Sequence, residues 1–496
     1  MPTFLDDLPE VFVSTTAISA LVHQAVKSGK LRKLGSRLYT KDPSSPPEDI
    51  VIRNWYFLLR DYYPDALIAD RTAIENKPAA DGSVFIVSSK KRETVLPGIT
   101  FKPRPGVGAL ETDKVFVGGC FLSSTARAYL ENMRVSRGRG GSVSRTLSRR
   151  EMEERLELLL RQRGEPFINT IRDQARDIAK KLKAEDEFKK LDELIGSLLG
   201  TRDAELQSGV GKARKMGAPY DPDRLDAFIR LFEALHRSAP VQRSSLATSP
   251  QAKANLAFFE AYFSNFIEGT EFGVDEAANI VFAGHIPSDR PEDAHDVLGT
   301  FRIVSDESEM AKLPKKSDEL KRLLTSRHAV LMQLRPDKLP GRFKEKNNQA
   351  GTTLFVAPEL VEGTLEKGFE VYRSLEIPFS RAVFMMFMIS EIHPFTDGNG
   401  RTSRIMMNAE LVAAGEQRII IPTVFRNNYL SSLKALTHNG VPEPIIRTLD
   451  FAQRYTRGVN WDDFEEARRQ LNLTNAFLDS NEADEIGKRL VLYQGN

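Results

Sequence analysis

The sequence predicts a mainly α-helical protein in which a large helical part follows a smaller α+β region. Three observations carry that expectation. From Arg149 onward, apolar residues recur at helical spacing with acids and bases between them, as in REMEERLELLLRQR and ARDIAKKLKAEDEFKKLDELIGSLL. Before that point, short β-branched runs (SVFIVSS, KVFVGGC) alternate with the Pro- and Gly-rich PGITFKPRPGVG. The segment FSRAVFMMFMISEI, residues 379–392, is apolar nearly all round, the mark of a buried helix.

Composition sets the outer limits. A chain of 496 residues suggests two to four domains, and 41% hydrophobic with 28% charged residues is ordinary for globular proteins. No apolar run approaches the roughly 20 residues of a membrane span, and the acidic start MPTFLDDLPE lacks a signal-peptide pattern. The single cysteine, Cys120, excludes an internal disulfide and a thiolate metal cluster. A cytoplasmic protein with no membrane partner is expected. The formal net charge of +2 demands no nucleic-acid partner.

Residues 1–45 open the chain. A polar start at Ser14–Thr16 precedes Ile18, Leu21, Val22 and Val26, an amphipathic helix that Gly29 can end, and LRKLGSRLYT reads as two strands around a glycine turn. Helix followed by basic hairpin is the arrangement of a winged helix. It resembles the N-terminal DNA-binding region of AbiEi-type antitoxins and related regulators, and WYFLLRDYYPDALIADRTAIE and FVGGCFLSSTARAYLENM resemble further pieces of that family. The resemblance implies DNA as a possible partner of residues 1–45; a structural or protein-binding module is the other reading. Residues 46–148 form an α+β region ending in MRVSRGRGGSVSRTLSRR (133–150), which holds six arginines and no acid. A solvated linker is expected there, ahead of a phosphate-binding arm. Residues 149–220 follow as charged helices with a linker at 201–224, then a helical domain at 221–460 and a helical tail at 461–496.

The chemistry concentrates in HPFTDGNGRTSR, residues 393–404. The buried helix must stop at His393, because Pro394 disfavours helical geometry in the residue before it. The glycines of DGNG permit positive φ and close approach of backbone to a ligand. RTSRIMMNAELVAAG then starts a second helix ended by Gly415. The N-terminal amides of that helix, with those of the loop, make an anion nest. Arg401 and Arg404 lie three apart and are expected to address one anion. Asp397 is a hard oxygen ligand beside a phosphate chain, suited to Mg²⁺. His393 is a candidate general base. These residue types suggest phosphoryl or nucleotidyl transfer. An ordinary helix–turn–helix corner, with Asp397 as a cap and the arginines in solvent, is the alternative.

The segment resembles the signature of the Fic family, H-x-F-x-[D/E]-G-N-G-R-x-x-R, at every fixed position. Eight fixed positions arise by chance on the order of 10⁻⁸ times in such a chain. The resemblance implies a helical fold with the motif between two central helices and, in most members, transfer of AMP from Mg·ATP to a protein hydroxyl. It further implies that His393 deprotonates the target side chain and that Asp397 holds Mg²⁺. Gly398, Asn399, Gly400 and Arg401 would line the anion hole, Arg404 would hold the γ-phosphate, and Phe395 would anchor the loop.

Three other stretches fit the same resemblance. GRFKEKNNQAGTTLFVAPELV (341–361) looks like the family's flap, a β-hairpin around Gly351, Thr352 and Thr353 that aligns a target strand. RIIIPTVFRNNYLSSLKALTHNG occupies the region that closes the adenine pocket in relatives, with Tyr429 and Asn439 as candidates; a tyrosine at helical spacing is otherwise a core residue. FFEAYFSNFIEGTEF (258–272) reads as a helix ending at Gly269, the last part of an inhibitory helix at 251–269. Glu268 stands in its last turn, where the helix dipole disfavours an anion and calls for a cation. Ser264, Glu268 and Gly269 match the family's inhibitory pattern [S/T]-x-x-x-E-[G/N], which implies that Glu268 pairs with Arg404 and blocks the γ-phosphate site. Between that helix and the flap, HIPSDRPEDAHDVLGTFRIVSD contains His285 and His295 without ligand spacing and is expected to be a structural loop.

The sequence therefore predicts a Mg²⁺-dependent protein adenylyltransferase using ATP, autoinhibited by Glu268, with a Tyr, Thr or Ser hydroxyl of a target protein, or its own, as acceptor. Removal of AMP, transfer of another phosphate-containing group, and a DNA-binding regulator with a silent Fic domain are the alternatives.

Overall fold

The computed structural model describes residues 5, 8–116, 119–138, 140–202, 205–351 and 353–493. Contacts divide the chain into two compact units, Met1–Met216 and Gly217–Asn496.

The first unit begins with strand Val11–Val13, helix Ser19–Lys27 and the hairpin Arg32–Gly35 with Leu38–Thr40, which form a three-stranded antiparallel sheet with Leu38–Thr40 in the middle. Two cations of the hairpin are spent on flanking backbone: Arg32 donates to the carbonyls of Pro43 and Ser45, and Arg37 to that of Ser14. A six-stranded mixed sheet follows, in the order Thr94–Leu96, Ile99–Arg104, Ser83–Val87, Leu67–Ile68, Phe121–Leu122, Lys114–Val115. Ser83–Val87 is buried along its whole length, as the continuous run SVFIV requires, and pairs in parallel with Ile99–Arg104, Val84 opposite Phe101.

One expectation for this unit is corrected in part. The arginine-rich stretch 133–150 is exposed in its first half, at Val135, Arg137, Gly138, Gly140 and Gly141, but packed towards its end: Thr146 and Leu147 are buried, the Leu147 N–H donates to Asn132 Oδ1, and the Arg71 N–H donates to the Arg145 carbonyl. Its few non-charged residues anchor it, which a charge count cannot show. The boundary between the two units, after Met216, falls inside the expected linker at 201–224, which also contains a short helix, Gly209–Lys215, fixed by a bidentate bond from Arg214 to Glu157. The helix Arg149–Leu182 opens with a capping box of Ser148 and Glu151 and is interrupted at Gly164, whose φ of 77° precedes Pro166.

The second unit is helical. Five of its described α-helices, Pro222–Arg237, Pro250–Ile267, Pro291–Ser305, Pro378–Ile392 and Glu443–Arg457, carry proline in the first turn, where the missing N–H costs nothing. Pro378–Ile392 and Asn399–Ala413 pack on each other more extensively than any other pair of helices. Phe384, Met385, Phe387 and Met388 of the first are fully buried, so its apolar circumference is satisfied by neighbours on all sides. A second core gathers Phe258, Phe259 and Phe263 from Pro250–Ile267 with Trp461 and Leu471, so residues 461–493 belong to the body of this unit. The segment expected to be a structural loop around His295 is instead the helix Pro291–Ser305, with Val297, Ile303 and Val304 in the core. Its first-turn proline and acids were the start signal. Among the described residues no helix is long and apolar enough to cross a membrane.

Candidate active site

The buried helix Pro378–Ile392 ends where the sequence requires. His393 is its left-handed C-terminal residue, φ 52°, and its N–H still reaches the Ile389 carbonyl at 2.9 Å. The turn that follows is locked from within. Asn399 Oδ1 accepts the Phe395 N–H and Asn399 Nδ2 donates to the Phe395 carbonyl, both at 2.8 Å. The Phe395 ring is fully buried and stacks on His328 at 3.8 Å. His328 Nδ1 accepts the Gly341 N–H while its Nε2–H donates to the Asp397 carbonyl at 3.0 Å. Burial above all pushes the His328 imidazole down to about 4. Neutral and fully bonded, it is a structural part of the turn.

Gly398 carries φ +72° as the residue before the helix Asn399–Ala413, and no side chain caps that helix. Its first amides are thus open to an anion. Gly400 shows why that anion site is contested. A Cβ built on it would lie 2.1 Å from Glu268 Oε1, so the Glu268 carboxylate rests directly on the first turn of the helix.

Glu268 is the residue that caps the C-terminus of Pro250–Ile267, followed by Gly269 at φ +89°. The cation its position calls for is Arg404, whose Nη2 donates to Glu268 Oε1 at 2.7 Å. Arg404 also donates from Nε to Ser264 Oγ at 3.0 Å and from Nη2 to the Ser264 carbonyl at 2.8 Å. Enclosure raises the Glu268 carboxyl, but the charge and hydrogen bond of Arg404, with the charge of Arg401, hold it below its ordinary value. Solvent still reaches 31% of the Glu268 side chain, against 6% for Arg404. Water therefore screens the pair from one side, and the ionic form of Glu268 is secure.

The two guanidiniums are held by different protein acceptors. The Arg401 guanidinium is held in the core by Asp296 Oδ2 at 2.8 Å and Asn265 Oδ1 at 3.3 Å. Asp296 also accepts from Arg335, and Asn265 Nδ2 donates to Thr300 Oγ1. Asp296 and Asn265 come from the helices Pro291–Ser305 and Pro250–Ile267, and neither was singled out from the sequence. Asn399 likewise spends its side chain on the loop backbone, leaving its amide as its contribution to an anion cradle.

His393 faces this cradle as a neutral imidazole. Its Nδ1–H donates to the Ser390 carbonyl at 3.1 Å, which leaves the lone pair on Nε2. Burial, with Lys344 assisting, pushes its pKa down to about 4, against the opposing influence of the Ser390 hydrogen bond, Glu268 and Asp397. The ring stacks face to face on Phe355 at 3.7 Å. Asp397 is half-buried, with Oδ1 accepting the Gly398 N–H at 2.6 Å. Its other oxygen is available to a hard cation.

The expected flap is a two-stranded hairpin, Gln349–Ala350 with Thr353–Leu354, turning at Gly351 with φ 58°. Thr353 Oγ1 hydrogen-bonds His438 Nε2 at 2.9 Å; Thr352 lies outside the described residues. Tyr429 is buried and its hydroxyl donates to Met386 Sδ at 3.2 Å. Asn439 is exposed at the end of helix Arg426–Asn439. The structure thus gathers His393, Gly400, Arg404, Ser264 and Glu268, and leaves Asn439 at the surface.

Residues 319–411 match the family model described as Fic/DOC family. Relatives named protein adenylyltransferase Fic are similar: that of Drosophila persimilis is 26% identical over 227 residues, 45% of this chain and 43% of its own length. That of Drosophila yakuba is 27% identical over 227 residues, 45% and 44% of the two chains. The chain spans less than half the length of these curated relatives. Among solved structures, a Fic domain containing signaling protein from Bacteroides thetaiotaomicron is similar with a TM-score of 0.36 at 17% identity, over 48% of this chain and 99% of that one. Fic-1 from C. elegans is similar with a TM-score of 0.35 at 18% identity, over 64% and 98%.

Proposed function

We propose that this chain, which carries a Fic/DOC-family domain at residues 319–411, is a protein adenylyltransferase that transfers AMP from Mg·ATP to a protein hydroxyl and is held inactive by Glu268. The observation that carries the reading is the meeting, at one uncapped helix N-terminus, of a neutral imidazole and a guanidinium already bound to an internal carboxylate. The names of the similar Drosophila proteins support the same activity.

His393 Nε2 takes the proton of a target Ser, Thr or Tyr hydroxyl; the freed oxygen attacks the α-phosphorus, the α–β phosphoanhydride bond breaks and pyrophosphate leaves. The amides of Asn399, Gly400 and Arg401 stabilise the charge that grows on the phosphate oxygens. Arg404 takes the terminal phosphate once Glu268 withdraws, since both claim the same guanidinium face. A Mg²⁺ ion bound here would neutralise charge between the phosphates. Asp397 is suited to hold it, because one carboxylate joined by phosphate oxygens and waters is the usual donor set for this ion. The hairpin at Gly351 and Thr353 offers strand edges to which a target segment can add.

Incubation with α-labelled ATP and Mg²⁺ tests the reading. Label on protein should appear with Glu268→Gly and vanish in Glu268→Gly/His393→Ala. Absence of label from every variant, with or without added protein acceptors, would refute it.

A further inference from the structure

The flap side of His393 holds a buried lysine for which the transfer reaction above has no use. Lys344 keeps only 4% of its surface exposed and, among the described residues, forms no ion pair. Its backbone N–H donates to the Pro394 carbonyl at 2.9 Å. Its Nζ donates to Asn348 Oδ1 at 2.6 Å and, at a longer 3.4 Å, to the Ile392 carbonyl. Asn348 in turn donates from Nδ2 to the Phe395 carbonyl at 2.9 Å and accepts the Phe355 N–H on its own carbonyl at 3.2 Å. Phe355 is the residue whose ring lies flat on His393. One segment therefore grips the carbonyls of residues 392, 394 and 395, which bracket the base, and covers its face.

That grip has something to hold. His393 is a non-glycine residue in the left-handed region, a backbone state that costs roughly 1–2 kcal/mol and persists only where its surroundings fix it. The buried ammonium adds a second effect, because a positive charge beside an imidazole opposes its protonation.

We propose that Lys344 is a positioning residue for His393: it fixes the left-handed turn that aims the imidazole, ties that turn to the flap through Asn348, and places a positive charge near the imidazole. The role deepens the transfer reading and rests on His393 being the base. Burial first, and the nearby Arg224 guanidinium second, push the Lys344 ammonium down to about 7. It is nonetheless charged across the range in which His393 titrates, so its influence there is complete. The other groups that bear on His393 are Glu268 and Asp397, both of opposite sign, and the Ser390 carbonyl.

The experiment uses the full chain labelled with [ring-¹³C]histidine, with the His393 resonance assigned by its loss in His393→Ala. Removing the charge in Lys344→Met should raise the His393 pKa by about one unit towards its ordinary value. Lys344→Arg should leave it near that of the unsubstituted chain. Lys344→Gln, which keeps a hydrogen-bond donor, carries the test should the methionine variant not fold. An unchanged His393 pKa in a folded, charge-removed variant overturns the proposal. In the Glu268→Gly background, label transfer should fall at least about tenfold with Lys344→Met and recover with Lys344→Arg. The titration is read without any turnover, so a shifted pKa in a chain that never transfers label would sink the transfer reading alone.

Discussion

Replacing Glu268 by Gln isolates the charge of the internal carboxylate while keeping its shape. The Arg404 guanidinium gives Glu268 one charge-assisted hydrogen bond of 2.7 Å. Such bonds to charged groups contribute roughly 1.5–3 kcal/mol. With 31% of the Glu268 side chain open to solvent, screening reduces this to about 1–2 kcal/mol. In the proposed reading a nucleotide must displace that contact to reach Arg404 and the Gly400 amide, so the contact is subtracted from its binding energy. Removing the charge should therefore tighten Mg·ATP binding by about 5–30-fold. Isothermal titration of the full chain against Mg·ATP reads the change directly. The gain should shrink as salt rises, because part of the pair is exposed. Equal affinity in Glu268→Gln and the unsubstituted chain would show that Glu268 does not compete for the nucleotide site, and the autoinhibition argument would fall.

Three further outcomes follow from the buried titratable groups. Asp296→Ala leaves the guanidiniums of Arg401 and Arg335 without their shared acceptor, and urea unfolding should show a loss of about 3–5 kcal/mol; a loss below about 1 kcal/mol would mean the pair contributes little. His328 and His393 are both pushed down to about 4 in the folded chain, against an ordinary imidazole value near 6.5. Their folded values are depressed, so below about pH 6.5 the unfolded chain binds protons that the folded chain refuses. Stability is intact above that pH and should fall as pH drops towards 4, by up to about 1.4 kcal/mol per pH unit for each imidazole, with His393→Ala showing the shallower slope. Over the same range the transfer activity of Glu268→Gly should persist from pH 7 to about 5.5, because the base stays unprotonated; a half-maximum near 6.5 would contradict the depressed value.

The motif was legible because its chemistry is local. HPFTDGNGRTSR states in consecutive residues where one helix stops, where backbone must turn left-handed and where the next helix begins. The stop at His393, the positive φ at Gly398 and the uncapped start at Asn399 are each consequences of a residue and its immediate neighbour. The position of Glu268 at a helix C-terminus similarly announced that a cation must face it.

What the sequence could not settle were partners joined across long separations. Arg401 and Arg404 have the same residue type and sit three apart, yet one is drawn into the core by Asp296 and Asn265 while the other meets Glu268. Local spacing places both on one face but says nothing about which acceptor the neighbouring helices bring. Asp296 lies in a helix whose proline start is followed by a run of acids with a histidine that masks its apolar spacing in the sequence. The end of the arginine-rich stretch at 133–150 was hidden for the same reason: buried Leu147 shares a core with Leu182 and Leu198, far along the chain. Lys344 reads in GRFKEKNNQ as one more surface charge. Only the fold, by closing the flap segment over the loop at His393, takes its ammonium out of water, where desolvation and nearby charge bear on both its own state and that of His393.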